Sequence, residues 1–364
     1  HGQLGLGDTA HRGDGPGAMG TSLPAIGLGR ASAVAQLAPL ASSTCVRFAD
    51  RKVKCWGKND KGQLGLGDIG DRGDGPGEMG ASLPALDLGS VLVDTLVAGG
   101  EQACVQTLAE ANAARCWGLL PSGEGTGDGA NEMGGNLPVL TLTSASIVQL
   151  RAGRDLLALD ENALVTHHVA TASGYQPYPL DLGSDSAVIG LAGRGELSCA
   201  WRQNGSVKCW GNNDLGQLGL GDTTDRLPEA NQVNPSLAPV DLGTGGAVVQ
   251  VVVGAAHVCA LRQAGSVKCW GDNSFGQLGQ GDTAARGDGP GEMGTDLLTV
   301  KLGSTSPVVQ LAAGAHHTCA RRQDGRVKCW GRNDRGQLGL GDTGHRGDGP
   351  DEMGTDLPTV DLTP

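Results

Sequence analysis

The chain has 364 residues, a formal net charge of −12 at pH 7 and an isoelectric point near 5.0. Nucleic-acid binding needs lysine and arginine to displace the counterions of the phosphates, so this charge argues against a nucleic-acid partner. No apolar run approaches the roughly 20 residues that cross a bilayer, and we expect no membrane insertion. The 63 glycines and 17 prolines instead predict short strands joined by many turns.

A repeat organises the chain. Cys-Trp-Gly occurs at Trp56 and Trp117 and then at Trp210, Trp270 and Trp330, which follow one another at intervals of 60 residues. A sixth copy, without cysteine or tryptophan, fills the gap between Trp117 and Trp210. In chain order, the predicted hairpins cover residues 39–57, 99–118, 152–168, 193–211, 254–271 and 313–331.

The copy that begins at Ala313 shows the local pattern best, with the sequence AGAHHTCARRQDGRVKCWGRNDRGQLGLGDT. Two short strand-like runs flank Asp324-Gly325, a dipeptide typical of a hairpin turn. A segment of the type LPTVDL precedes each copy, which gives about four strands per repeat. Radially arranged four-stranded repeats bury each sheet between two neighbours. The sequence therefore predicts an all-β fold, a β-propeller of four-stranded blades.

The number of hairpins does not match the number of connecting segments. Six hairpins accompany seven segments, because GQLGLGD at Gly2 and LPTVDL at Leu357 have no hairpin of their own. We expect six complete hairpin units and a split or incomplete seventh, in a single propeller domain over residues 1–364 that is part of a longer chain. The seventh hairpin was removed, or a neighbouring chain supplies it, or the ring closes with six.

Two recurring phrases carry a family resemblance. CWGxNxxGQLGLGD and AGxxHTCAL resemble the repeats of the regulator of chromosome condensation family over nearly the whole chain. The resemblance implies a propeller, which in this family usually has seven blades. It also implies two kinds of function. The founding member is a nucleotide exchange factor for a nuclear GTPase, whereas a secreted bacterial relative, a β-lactamase inhibitory protein, is a protein binder.

The ten cysteines form pairs that flank the predicted hairpin turns, four of them ten residues apart and one twelve residues apart. Cross-strand neighbours in a hairpin bring their Cβ atoms within disulfide distance. The degenerate copy has Ala158 and Thr166 near the expected positions. Because disulfides persist in oxidising compartments, we predict a secreted or extracellular-surface location. The predicted disulfides join Cys45 to Cys55, Cys104 to Cys116, Cys199 to Cys209, Cys259 to Cys269, and Cys319 to Cys329.

No metal site or cofactor is predicted. His257 and His317 lie two residues before a cysteine, but the chain has no CxxC motif and each repeat offers too few zinc ligands. Calcium in the acidic loops is a weaker expectation, because their spacing lacks the DxDxDG and final Glu of a dedicated site. The carboxylates concerned are Asp68, Asp74, Glu78, Asp282, Asp288 and Glu292.

Arg-Gly-Asp occurs in four loops, at residues 12–14, 72–74, 286–288 and 346–348. An adhesive role competes with a scaffold role, in which glycine sets the turns and arginine pairs with neighbouring carboxylates. We favour the scaffold role, because the tripeptide lies inside a longer phrase that repeats with it.

Regular and irregular positions of the repeat predict different roles. Trp330 and Gln337 recur in every well-preserved copy, so we expect such residues in the core, with the glutamine bridging backbone groups between blades. Binding specificity is expected where the copies differ, in residues 123–135, 175–179 and 225–238. Asn204 opens the sequon Asn-Gly-Ser at a predicted hairpin tip and is a weak glycosylation candidate, since a tight turn explains the same residues.

The sequence has no nucleophile elbow, phosphate loop or HExxH motif, so we predict no catalytic residues and no small-molecule substrate. The predicted function is that of a non-enzymatic extracellular or cell-surface module. It would bind protein partners or copies of itself, or serve as a subunit of a larger assembly. The alternative is an intracellular guanine-nucleotide exchange factor or signalling adaptor with reduced thiols.

Overall fold

A computed structural model describes residues 1–120, 123–153, 155–228, 232–303 and 305–363. These residues form strands and turns, apart from two short 3₁₀ helices at Gly20–Ser22 and Gly134–Asn136, and the predicted all-β class is confirmed. Among them, no helix has the length and apolar character that a membrane crossing requires. The chain divides into two compact units. The first comprises residues 1–10 and 24–180, and the second comprises residues 11–23 and the chain from Asp181 onward.

The first compact unit contains three antiparallel sheets. Their strands are β1 (Val34–Pro39), β2 (Ser43–Phe48), β3 (Val53–Gly57), β4 (Val93–Gly99), β5 (Gln102–Thr107), β6 (Glu110–Leu119), β7 (Gly125–Thr126), β8 (Leu140–Thr141), β9 (Ile147–Ala152), β10 (Leu156–Asp160), β11 (Val165–Thr171) and β12 (Gly174–Leu180). The sheet orders are β1-β2-β3, then β4-β5-β6-β7 with β8 also paired to β6, and then β9-β10-β11-β12. We call these sheets blades 1, 2 and 3.

The second compact unit contains blades 4, 5 and 6, each with three regular strands in chain order. The strands are β13 (Val188–Arg194), β14 (Leu197–Arg202), β15 (Val207–Trp210), β16 (Val248–Val253), β17 (His257–Arg262), β18 (Val267–Gly271), β19 (Val308–Ala313), β20 (His317–Arg322) and β21 (Val327–Gly331).

The middle strand of blades 2, 4 and 5 is buried on both faces. Every residue of β17 is buried, because β16 and β18 flank it in the sheet and blades 4 and 6 cover its two sides. The same packing explains why VCAL, at the centre of this strand, is a continuous apolar run instead of an alternating one. Between blades 4 and 5, Cys199 and Val207 share one apolar cluster with Val258 and Trp270. The core of each compact unit therefore lies between successive blades.

The fourth strand is regular in blade 3, where β12 pairs with seven residues of β11. In blade 5 the corresponding segment contributes one backbone hydrogen bond, from Val300 N to Val267 O at 2.9 Å. Leu297, Val300 and Leu302 are all buried. They are three and then two residues apart, whereas the buried residues of a strand with one face on the core follow every second position. Apolar burial thus fixes the segment against its blade without a regular ladder.

Blade 3 is the degenerate copy, and its register changes one expectation. Leu150 pairs with Ala158 as Leu191 pairs with Ala200, so Leu157 occupies the position of Cys199. Leu157 lies opposite His167 in the register, which excludes Ala158 and Thr166 as the positions of the lost cysteines. The sequence alignment was one residue out, because no cysteine marks the register of this copy.

A buried hydrogen bond between a histidine and an aspartate accompanies the missing disulfide of blade 3. His167 Nε2 lies 3.0 Å from Asp155 Oδ2, and Asp155 Oδ1 accepts a hydrogen bond from Ala170 N at 2.8 Å. The same carboxylate thus contacts two positions of β11, one of which would carry the second cysteine in a regular blade. This pair connects the turn between β9 and β10 to the third strand.

The incomplete seventh repeat is present as a loop. In the first compact unit, Gln3 O accepts a hydrogen bond from Trp56 Nε1 at 3.0 Å. In the second, Gly20 N donates to Asp361 O at 3.2 Å. Residues 1–23 thus pack like the loops of the other repeats but have no hairpin of their own. The prediction of six complete hairpins and an incomplete seventh is confirmed.

Ala163→Gly should stabilise the protein by about 1 kcal/mol, since Ala163 adopts φ 62° where Gly325 of blade 6 has φ 83°. The measurement is thermal unfolding with the disulfides intact. Gly325→Ala is the matched reverse change, because a Cβ atom there would meet no other atom within 4 Å and would add only backbone strain. Destabilisation by Ala163→Gly, or no effect of Gly325→Ala, would contradict this reading of the turn.

Candidate functional site

In blades 1, 2, 5 and 6 a tryptophan joins the blade to the loop of the preceding repeat. Trp270 Nε1 donates to Gln217 O at 3.0 Å, and Trp330 Nε1 donates to Gln277 O at 2.9 Å. Both indole rings are fully buried, as expected for core residues. The Gln277 side chain stays in its own loop, where Nε2 donates to Asp272, so the expectation that the glutamine side chain bridges blades is wrong. The backbone carbonyl makes the bridge instead.

The structure contains the five predicted disulfides, and all ten cysteines are paired. Each bond joins directly opposed residues on the second and third strands of a blade, as Cys199 and Cys209 are opposed between β14 and β15. Four of the five bonds lie in the apolar layers between blades, as do the fully buried Cys259 and Cys269, whereas Cys319 is only partly buried. All five bonds close their hairpins, and these four also form part of the core.

The loop after four of the five Cys-Trp-Gly tripeptides folds around an asparagine. Asn59 Nδ2 donates to Asp68 O at 2.7 Å, and Asn59 Oδ1 accepts from Leu64 N at 2.9 Å. These bonds satisfy backbone groups that a loop cannot pair by itself. Asn213, Asn273 and Asn333 make the same contacts in their loops.

The Arg-Gly-Asp tripeptides are parts of this loop scaffold. Arg72 Nη2 lies 2.6 Å from Asp68 Oδ2, and only 25% of the Arg72 side chain is exposed. Arg226 makes the same ion pair with Asp222 at 2.8 Å, although Leu227 follows it in place of glycine. The arginine therefore forms this ion pair within the loop whether or not the Arg-Gly-Asp tripeptide is present. This geometry favours the scaffold interpretation over an adhesive one.

Asp74 and Glu78 form a pair of interacting carboxyl groups in their loop, and other loops with aspartate and glutamate at the equivalent positions have the same pair. Glu78 Oε2 accepts from Gly73 N and Gly75 N, both at 2.9 Å, and from Asp74 N at 3.1 Å. Burial alone would raise the pKa of Glu78, but these N–H groups outweigh it and lower the pKa. Burial and the neighbouring Glu78 carboxylate raise the pKa of Asp74.

The calcium candidates already have partners within their own loops. Asp68 pairs with Arg72, and one oxygen of Glu78 is surrounded by backbone N–H groups, so the three carboxylates Asp68, Asp74 and Glu78 do not converge. In the part of the chain that the structure describes, no group of three or more His, Cys, Asp or Glu side chains is arranged to hold a metal ion.

The histidines of the AGxxH phrase are packing residues. The His257 ring lies against Gly254, where a Cβ atom would come within 2.1 Å of His257 Cε1, and this contact explains the glycine. His257 Nε2 lies 3.0 Å from Thr318 Oγ1 of the next blade. Burial lowers the pKa of His257 to about 3 and that of His317 to about 4, so both rings are neutral at pH 7.

A cluster around Phe275 departs from the repeat, and the sequence analysis did not find it. Phe275 makes edge contacts with His316 and His345, at centroid distances of 5.4 and 5.3 Å, and the Arg332 guanidinium lies 5.0 Å from its ring centre. Lys61, Leu215 and Arg335 occupy the equivalent loop position elsewhere. An aromatic residue at this variable position was the available signal. We name Phe275, His316, Arg332 and His345 the Phe275 cluster.

The regions expected to determine specificity have different structures. Tyr175 lies in β12 and donates its hydroxyl to Gln102 at 2.7 Å, so residues 175–179 form a strand and not a loop. In residues 123–135, Glu132 accepts backbone N–H groups as Glu78 does. Residues 229–231 of the third region lie outside the described residues. Asn204 is exposed at its hairpin tip, and its Oδ1 accepts from Ser206 N at 3.0 Å.

Comparison with known proteins identifies the repeat. A model of the regulator of chromosome condensation (RCC1) repeat matches residues 204–261, 264–321 and 324–359, and a second RCC1 repeat model matches residues 248–277 and 308–337. Residues 204–359 of the chain are therefore repeats of the regulator of chromosome condensation type. The recurring tryptophan, glutamine and loop glycines are therefore features of RCC1 repeats.

The relatives differ in size from this RCC1-repeat chain. The ultraviolet-B receptor UVR8 of Arabidopsis thaliana is 27% identical over 315 residues, which is 82% of this chain and 66% of the receptor. The regulator of chromosome condensation of Mus musculus is 34% identical over 158 residues, 43% of this chain and 34% of that protein. The chain thus spans less than two thirds of either relative.

A solved structure supports the predicted architecture. Prp20p from Saccharomyces cerevisiae has a TM-score of 0.66 and 20% sequence identity, with 98% of this chain and 83% of Prp20p covered. At this identity the likeness shows the fold alone. The predicted β-propeller is confirmed.

Asp74→Asn should stabilise the protein at neutral pH, because the raised pKa means that ionised Asp74 is disfavoured in the folded state. The folded state binds the Asp74 proton more tightly than the unfolded chain does. This contribution stabilises the fold at low pH and is lost as the pH rises through the pKa that Asp74 has in the folded protein. The advantage of the variant should therefore disappear below about pH 4, where the unfolded chain also binds the proton. Thermal unfolding as a function of pH is the measurement.

Asp14→Asn is the matched control for this prediction. Asp14 occupies the same position in the N-terminal loop, but Ala18 stands there in place of the glutamate. The control variant should change the unfolding temperature little at any pH. An equal gain from both variants would show that the interaction between Asp74 and Glu78 is not the cause.

Proposed function

We propose that the chain is a non-enzymatic protein-binding or structural module of the extracellular space or the cell surface, and a subunit of a larger assembly. The observation that carries the proposal is the set of five disulfides, present in every blade except blade 3. Cytosolic thiol pools keep such cysteines reduced, whereas secreted and surface proteins retain the bonds.

Rigid loops suit a binding role. Each regular loop is fixed by an asparagine, an arginine–aspartate ion pair and, in several repeats, a glutamate that accepts backbone N–H groups. Loops that are ordered before binding lose little conformational entropy when a partner docks. The contacts within each repeat thus order the loops of the proposed binding surface before a partner docks.

The Phe275 cluster is the proposed centre of partner contact. Aromatic and arginine side chains are enriched at protein interfaces, and here Phe275 and Arg332 stack on each other while both stay partly exposed. Prp20p, which shares the fold, has been studied for its binding to Gsp1p and histones, and this supports a protein as the class of partner. The alternative, an intracellular exchange factor or adaptor, requires ten reduced thiols.

The thiol state of the natural protein tests the location. Intact mass spectrometry after alkylation without reductant should find no labelled cysteine and a mass ten hydrogens below that of the reduced chain, since five disulfides are formed. A reduced and alkylated sample serves as the positive control and should carry ten labels. Ten labels without reductant would overturn the proposal and favour the intracellular alternative.

A further inference from the structure

The loop at residues 332–346, which we call the blade 6 loop, uses a histidine where two other loops use an aspartate. Asn333 N donates to His345 Nδ1 at 3.1 Å. In the loops that follow blades 1 and 4, a carboxylate oxygen accepts the equivalent backbone N–H at 2.8 Å. The pairs are Asn59 with Asp71 and Asn213 with Asp225. The acceptor in the blade 6 loop is therefore an imidazole in place of a carboxylate.

The N–H group that His345 accepts belongs to the residue around which the loop folds. Asn333 is fully buried, its Oδ1 accepts from Leu338 N at 2.9 Å, and its Nδ2 donates to Asp342 O at 2.8 Å. A buried N–H group without an acceptor raises the free energy of the folded chain. The bond to His345 thus supports the central residue of the blade 6 loop.

Only the neutral form of His345 can make this bond. A ring nitrogen accepts a hydrogen bond when it carries no proton, whereas both nitrogens of an imidazolium are donors. Protonation would place an N–H group of His345 opposite the N–H group of Asn333, so the ring must turn or the loop must open. Aspartate carboxylates, in contrast, stay ionised between about pH 5 and about pH 8, the range in which histidines take up a proton.

His345 connects this bond to the Phe275 cluster. Its ring meets Phe275 edge-on, with a centroid distance of 5.3 Å and an interplanar angle of 88°. Phe275 belongs to the loop that follows blade 5, and the Arg332 guanidinium and the His316 ring also lie against it. Both His345 and Phe275 are partly exposed, so protons from the solvent reach the contact. A turn of the His345 ring therefore removes one side of the packing around Phe275.

Charged and titratable groups of several segments surround the two histidines of the cluster. They are Arg194, Asp272, His316, Arg332, Asp334, Arg335, Asp342, Arg346 and Asp348. Asp334 and Asp342 each pair with an arginine at 2.6 Å. Asp272 lies on the other side of the cluster, with Oδ2 3.9 Å from His316 Nδ1. Protonated His345 would share the Phe275 ring with the Arg332 cation, and like charges repel.

The loop that follows blade 5 separates the loss of this bond from protonation. Ala285 takes the position of His345 there and offers no side-chain acceptor to Asn273 N. Asn273 nevertheless keeps its bonds to Asp282 O and Leu278 N, at 2.7 and 2.9 Å. A missing acceptor is therefore tolerated. What protonation adds in the blade 6 loop is a second N–H group that faces the first.

We propose that His345 is a pH-sensitive switch of the Phe275 cluster. Neutral His345 holds Asn333 N and packs on Phe275, so the cluster presents one fixed surface. Protonated His345 releases Asn333 N and withdraws from Phe275, which removes that surface from a partner as the pH falls from about 7.5 to about 5.5. The inference rests on the proposed partner contact at the Phe275 cluster, for which it names the regulation.

Fluorine NMR tests the switch in the whole chain. The chain has two phenylalanines, so incorporation of para-fluorophenylalanine gives two signals, from Phe275 and Phe48, and Phe275→Leu assigns them. Between about pH 7.5 and about pH 5.5 the Phe275 signal should shift, whereas the signal of buried Phe48 in blade 1 should not. His345→Asp, which restores the aspartate of the other loops, should remove the shift. His316→Gln should keep it, because burial lowers the pKa of His316.

Backbone exchange shows whether the loop itself opens. In a chain labelled with heavy nitrogen on asparagine, the hydrogen-exchange rate of Asn333 N–H relative to that of Asn213 N–H should rise by about tenfold over the same pH range. Asn213 is the matched internal control, because a carboxylate of Asp225 accepts its N–H. His345→Asp should keep the ratio constant, and Asp225→His should transfer the pH dependence to Asn213.

Three results would overturn the inference. They are a Phe275 signal that does not shift, a shift that persists in the His345→Asp variant, and an Asn333 exchange ratio that stays constant in the wild-type chain. Circular dichroism and the absence of free thiols confirm that each variant is folded. None of these results changes the number of disulfides, so the proposed extracellular function, which the thiol count tests, fails or stands separately.

Discussion

The hydrogen bond from a buried indole to a glutamine carbonyl in the preceding repeat is the contact on which the rest of the structure depends. It places the third strand of one blade, as at Trp270, against the loop of the blade before it, as at Gln217. The asparagine and arginine contacts then shape the same loop, and the apolar clusters close around the tryptophan. Within a compact unit, successive blades therefore complete each other, as expected for an array whose stability comes from nearest-neighbour interfaces.

This constraint explains where the chain has freedom to vary. Blade 3 has lost its disulfide and its tryptophan, and it has a regular fourth strand and the buried pair of His167 and Asp155. The position of Phe275 varies among the loops because its side chain lies outside the contact between indole and carbonyl. The proposed partner contacts lie at positions whose residue type is not constrained by the hydrogen bond from the indole to the glutamine carbonyl.

Much of the fold could be predicted because the repeat fixes spacing. Cysteines ten residues apart around a turn determine both the register and the disulfide, as Cys259 and Cys269 show. The degenerate copy has no such marker, and its alignment was therefore wrong by one residue at Leu157. An aromatic residue at a variable loop position marked Phe275 in the sequence, but its contacts could not be predicted, since Phe275, His316 and His345 come from two repeats and meet only when blades 5 and 6 pack. The choice between the glutamine side chain and its carbonyl likewise depends on loop geometry that spacing does not encode.

Native-state hydrogen exchange of a Trp270→Phe variant tests the central claim most directly. Phenylalanine keeps most of the apolar ring but cannot donate to Gln217 O, so the claim predicts faster exchange on both sides of the interface. Amides of β16–β18 and amides of the loop at residues 213–222 should lose protection together, while β19–β21 change less. A loss of protection confined to β16–β18, or none at all, would contradict the account, because it would show that the tryptophan stabilises only its own blade.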